Sequence, residues 1–133
     1  MNYWIFQSKP ERYDLRNDEI IQKDKSDTWY ATRYRSQMAK DDLVFFWLSG
    51  DPKIRGIYGI GKIISLPYKK ENWDTYGIDV KYDRKLSTHI SIQEINDTKG
   101  LENLLILRAP TATNFLLTQN EAEIIMNLFK NKN

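Results

Sequence analysis

Residues 42–66 read "DLVFFWLSGDPKIRGIYGIGKIISL", and the succession of elements in this stretch decides the fold. "LVFFWL" is continuous and aromatic, as expected of a strand covered on both faces. Gly50, Asp51 and Pro52 then supply a turn. "IYGIGKII" is a second strand, in which Ile57, Ile60, Ile63 and Ile64 are interrupted by Gly56, Gly59 and Gly61. Glycine at that density predicts a bulge, a strong bend, or close approach of another backbone or ligand. No helix separates the two strands, which excludes a doubly wound parallel sheet. The Gly59–Gly61 pair likewise lacks the helix that a dinucleotide motif requires.

Working outward, "NYWIFQS" (2–8) reads as a first strand, ended by Pro10. "DLRNDEIIQKDK" (14–25) predicts a short helix with Ile20 and Ile21 on its buried side, and "RYRSQMAK" (33–40) one or two helical turns. "YGIDVKYDRKL" (76–86) alternates as a half-buried strand, and "THISIQEI" (88–95) is a further short strand or a strand-to-helix junction. "LTQNEAEIIMNLFKNK" (117–132) is the best helix, with Thr118 and Glu121 as a capping box. The expectation is a single α+β domain spanning 1–133, with about six strands in a curved sheet or small barrel.

Composition narrows the chemistry. The chain has 133 residues, no cysteine and one histidine, so thiolate and multi-histidine metal sites and cysteine nucleophiles are excluded. No apolar run approaches the roughly 18–20 residues of a membrane span, and the N-terminus does not resemble a secretory signal. A soluble, cytoplasmic protein is expected. The formal net charge is +2, with a central bias over 51–85 of eight Lys or Arg against five acids. Such a bias suits a phosphate backbone and equally suits solvated strand edges.

No catalytic set is present. His89, in "STHISIQ", has no nucleophile elbow near it, and no spaced Asp, Glu and His ligands point to a metal. Binding is the better case. A pocket for a nucleobase needs aromatic walls, polar groups for the base edge and positive charge for the phosphate. "SDTWYATRYR" (26–35) offers these types: Trp29 on an expected loop among polar neighbours, with Arg33 one turn later. Phe45 and Phe46, by contrast, read mainly as core.

Three blocks, "NYWIFQSKP", "TWYATRYRSQMAKDDLVFFWLSG" with "IRGIYGIGKI", and "TNFLLTQNEAEII", resemble the EVE domain in order and over nearly the whole chain. That family has the PUA-like superfold and is related to YTH domains. Two departures are Asp41-Asp42, where the family has Gly-Asp, and Ala112, where a glycine commonly precedes "TNF". The resemblance implies a PUA-like curved mixed sheet, or pseudo-barrel, with flanking helices. It further implies a non-enzymatic reader of a modified base, foremost modified cytosine in DNA, with no cofactor. By position it assigns Gln7, Ser8, Lys9, Trp29, Tyr30, Thr32, Trp47, Leu48, Ser49, Thr113, Asn114 and Phe115 to a base pocket. Trp29 would be the stacking wall, and Lys9 and Arg33 would meet phosphate. Two alternatives stay open: an RNA-binding PUA-like module, and a ribonuclease of the ASCH type using Lys9, Arg33 and Tyr34. A partner nuclease or ATPase of a bacterial defence system is compatible with the first reading.

Overall fold

Apolar side chains on both faces of one strand demand cover on both sides, and the chain supplies it. The computed structural model describes residues 1–132. Its strands are β1 (Tyr3–Ser8), β2 (Ser26–Ala31), β3 (Leu43–Leu48), β4 (Gly56–Ile63), β5 (Tyr68–Lys69), β6 (Tyr76–Ser91) and β7 (Asn114–Leu117). They form one sheet in the order β2-β6-β4-β3-β1-β7, with the two-residue β5 paired to β6. Among the described residues, only the β1–β3 pairing is parallel. The curled mixed sheet expected of the sequence is therefore present.

β3 alternates between two cores. Phe45 and Trp47 pack with Ile5, Ile57, Ile90 and Phe115 on one face. Val44, Phe46 and Leu48 join Trp4, Phe6, Trp29 and Tyr82 on the other. Helices cover the first face. α1 (Ile92–Asn96) and α3 (Gln119–Lys130) each begin with a reciprocal capping box, Ser91 with Glu94 and Thr118 with Glu121. α2 (Leu105–Arg108) is a single turn. α3 buries Ala122, Ile125 and Phe129, and the Phe129 ring lies 6.2 Å from that of Phe45.

The glycines of β4 curl the sheet. The β4–β6 register shifts between Ile57 and Gly59 and again between Ile60 and Gly61. A Cβ at Gly61 would stand 2.5 Å from the Lys81 carbonyl oxygen, and one at Gly59 would stand 2.8 Å from that of Arg84. Both the bulge and the close backbone approach foreseen from the sequence occur here.

Two local expectations need correction, and a third is met. Residues 14–25 form turns, not a helix, although Ile20 and Ile21 are buried as expected. The carboxylate of Asp14 accepts from the Arg16 amide and the Asn17 side chain accepts from the Glu19 amide, local bonds that compete with a helix. The one or two helical turns expected over 33–40 are present as a single 3-10 turn, Arg35–Gln37. Trp29 lies in edge strand β2, paired with Ile78, and not in a loop. The polar residues of an open edge had disguised that strand.

Residues 88–95 are the strand-to-helix junction allowed by the sequence, since β6 runs unbroken from the strand expected over 76–86 to Ser91 and α1 starts at Ile92. The β6 bulge opposite Gly59 leaves Ser87 and Thr88 exposed between buried Leu86 and Ile90, which breaks the alternation. Asp41, where the resemblance would put a glycine, has φ +72°, in the left-handed region that glycine occupies without a Cβ penalty. Among the described residues, no helix is long and apolar enough to cross a membrane.

Candidate functional site

β2 and β7 are the opposite ends of the strand order, and one buried side chain joins them. Asn114 on β7 is fully buried. Its Nδ2 donates to the Tyr30 carbonyl at 2.9 Å, and its Oδ1 accepts from the Thr32 amide at 2.8 Å. The sheet thereby closes on itself as a half-barrel. A cleft of about 410 Å³ opens beside this seam, within the roughly 300–1,000 Å³ of typical ligand pockets.

The end of β1, the turn after it and residues 111–113 form one side. Gln7 straps these segments together: its Nε2 donates to the carbonyls of Pro110 (2.9 Å) and Ala112 (2.6 Å). Its backbone amide donates to Thr113 at 2.9 Å. Ser8 Oγ donates to the Tyr13 carbonyl at 2.9 Å, fixing the turn that projects Lys9 and Arg12.

The other side is aromatic. Tyr30 and Trp73 meet edge to face with ring centroids 4.7 Å apart. The Arg12 guanidinium lies 5.5 Å from the Tyr30 ring centroid, and the Lys70 ammonium lies 5.4 Å from that of Trp73. The rim therefore alternates flat apolar faces with cations. Trp29 forms the back wall. Only 5% exposed, it packs against Phe46 at 5.1 Å and meets the Tyr13 ring edge-on at 5.8 Å. Exposed ring area in the cleft thus belongs to Tyr30 and Trp73 more than to Trp29.

Behind the rings runs a polar chain. Trp29 Nε1 donates to the Tyr82 hydroxyl at 2.9 Å, and that hydroxyl donates to Asp27 Oδ2 at 2.7 Å. The Tyr13 hydroxyl donates to the same oxygen. Burial, and then the neighbouring Asp27, push both tyrosine pKa values far above the ordinary phenol value. Both hydroxyls therefore stay protonated and act as donors to the carboxylate.

Of the residues assigned from the sequence, Gln7, Ser8, Lys9, Trp29, Tyr30 and Thr113 line the cleft, whereas Thr32, Arg33, Trp47, Leu48, Ser49, Asn114 and Phe115 do not. Trp47 and Phe115 point to the opposite face of the sheet, into the core under α3. Leu48 is fully buried in the core that also holds Trp29. Ser49 serves through its backbone, donating to the Ser8 carbonyl at 2.9 Å. Asn114 and Thr32 form the seam. Arg33 is exposed beside Tyr34, 5.8 Å from its ring centroid.

The sequence reading missed Arg12, Tyr13, Asp27, Thr28, Trp73, Thr111 and Ala112. Trp73 was within reach, because "KKENWDT" surrounds it with polar residues as "SDT" precedes Trp29. Asp27 and Tyr13 had no such signal, since only folding brings them together.

His89 stacks on Tyr58, with centroids 4.7 Å apart and planes 2° from parallel, and lies outside this cleft. Among the described residues, no group of three His, Cys, Asp or Glu side chains is arranged to hold a metal.

The model of the EVE domain family matches residues 2–128. No curated protein sequence matches the chain. Among solved structures, a hypothetical protein from Leishmania major is 18% identical with a TM-score of 0.78, over 98% of this chain and 96% of that one. The human THYN1 protein in complex with 5-methylcytosine containing DNA is 20% identical with a TM-score of 0.74, over 96% of this chain and 97% of that one. A Pseudomonas syringae protein is 19% identical with a TM-score of 0.74, over 95% and 98%. At these identities the structural likeness is one of fold. With the family model matched along nearly its whole length, the chain belongs to the EVE domain family.

Proposed function

We propose that this EVE domain reads nucleic acid by taking one extruded base into the cleft between Tyr30–Trp73 and the Tyr13–Trp29 wall, without turning it over. The observation that carries the reading is the cleft rim, where Arg12 and Lys70 lie over the Tyr30 and Trp73 rings. Flat π-faces accept a base of any sequence, and cations beside them attract the phosphates that flank it. A modified cytosine in DNA is the favoured ligand, supported by the similarly folded human THYN1, which is in complex with 5-methylcytosine containing DNA. A methyl group buried against aromatic walls adds about 1 kcal/mol, roughly fivefold in affinity, so discrimination by the methyl alone is modest. Of the groups considered for ribonuclease chemistry, Lys9 lines the cleft while Arg33 and Tyr34 do not.

Titration of the wild type and of Trp73→Ala with modified and unmodified oligonucleotides, DNA and RNA, tests the proposal. Loss of one stacking face is expected to weaken binding by about 1–3 kcal/mol, roughly five- to 150-fold. Equal, salt-sensitive affinities of both proteins for every oligonucleotide would remove the cleft from the mechanism. Preference for an unmodified RNA would move the reading to an RNA module.

A further inference from the structure

Asp27 is out of place on a surface built only to hold phosphate. It lines the same cleft as Lys9 and Arg12, yet among the described residues it forms an ion pair with neither. Its Oδ2 accepts from the hydroxyls of Tyr13 and Tyr82, and its Oδ1 accepts from the Thr28 amide at 2.9 Å. A carboxylate offers about four lone-pair sites, so these three donors leave acceptor capacity on Oδ1. The two hydroxyls also fix the carboxylate at the inner end of the Trp29–Tyr82 chain. A phosphate would be repelled there, whereas a base edge that donates hydrogen bonds would be held.

We infer that Asp27 is a specificity-determining residue whose Oδ1 accepts a hydrogen bond from the exocyclic amine of the bound base, so that the cleft selects amine-bearing bases over thymine and uracil derivatives. This rests on the base-reading proposal above and adds to it the edge that is read. Carboxylate side chains accept from the cytosine N4 amine in the same way on duplex DNA. Thymine presents O4 where cytosine presents the amine, setting acceptor against acceptor. Its N3–H donor lies between two carbonyls, so a carboxylate approaching it meets one of them.

5-Methylcytosine and thymine share ring size and methyl group, which makes them the discriminating pair. In single-stranded oligonucleotides of otherwise identical sequence, no unpairing cost separates them. The expected result is that the wild type binds the 5-methylcytosine oligonucleotide about ten- to a hundredfold more tightly, as loss of a charge-assisted hydrogen bond implies. Asp27→Asn, whose amide offers a donor in place of Oδ1, is expected to bring the two within about threefold or to reverse them. The wild-type comparison needs no variant and so stands if Asp27→Asn fails to fold. Equal wild-type affinities that are both lost in Trp73→Ala would overturn the selector and leave the cleft reading intact. An unchanged preference in a folded Asp27→Asn protein would also overturn it. Binding of both oligonucleotides no tighter than of an abasic control would overturn both proposals.

Discussion

Asn114 shows how much one buried amide can organise. It donates to β2 through Nδ2, accepts from β2 through Oδ1, and so joins the two ends of the strand order beside the cleft. Truncation would leave the Thr32 amide and the Tyr30 carbonyl without these partners. Asn114→Ala is therefore expected to cost about 2–4 kcal/mol in urea denaturation, with unsatisfied groups dominating the loss. A loss under about 0.5 kcal/mol would mean that other contacts hold the seam. The amide resembles a site residue in the sequence because it stands in a block shared with the family. Its structural role became visible only once Tyr30 and Thr32 were seen on its two sides. Tyr13 and Asp27 give the converse case, since neither stands out in sequence and together they make the polar floor.

Among elements, the β4 strand has the tightest geometric requirement. Gly61 lies where a Cβ would press on the Lys81 carbonyl at 2.5 Å and on Phe46 Cε2 at 3.0 Å. Backbone cannot yield as a flexible side chain does. Gly61→Ala is expected to destabilise by about 1–3 kcal/mol or more, measured as a shift in the denaturation midpoint. The neighbouring Lys62→Ala provides the control. Lys62 is exposed and its pairing with Asp41 is 3.7 Å long between two well-solvated side chains, so a change within about 0.5 kcal/mol is expected. A neutral Gly61→Ala would mean that β4 and β6 separate easily at the bulge, and the curl would then need another cause. β4 was legible in advance because its glycines have a direct backbone consequence. β2 was not, because an edge strand needs only one apolar face and Trp29 and Ala31 are its buried residues.

For the whole molecule, electrostatics and shape divide the work. The formal net charge is only +2, so a strong general attraction to polyanions is not available. On the proposed reading, the local arrangement of Lys9, Arg12 and Lys70 around the aromatic rim matters more than the total. If Arg12 contacts a phosphate, Arg12→Ala is expected to lower the slope of log K against log salt by about 0.7–1. Lys53→Ala, which does not line the cleft, is expected to leave that slope unchanged. Equal effects of the two substitutions would mean that binding follows net charge and not the cleft.

By itself, the sequence determined the strand-rich α+β class, the two-faced β3, the crowded β4, the capped final helix and the family. These features follow from local periodicity, backbone freedom and capping chemistry, which operate over a few residues. It also brought Gln7, Ser8, Lys9, Trp29, Tyr30 and Thr113 into view, through two blocks at the end of β1 and along β2 and a third at the start of β7. Tertiary structure decided which ring is a wall and which is core. Side-chain alternation sends Trp47 and Phe115 to the face under α3, while the pairing of Tyr30 with Gly77 in β6 brings Trp73, in the connection before β6, against Tyr30. It also decided that Asp27 meets Tyr82 across the β2–β6 pairing, 55 positions away, and that Asn114 closes β7 onto β2 over 82 and 84 positions. Closure is a property of strand order and twist, and no short stretch of residues contains it.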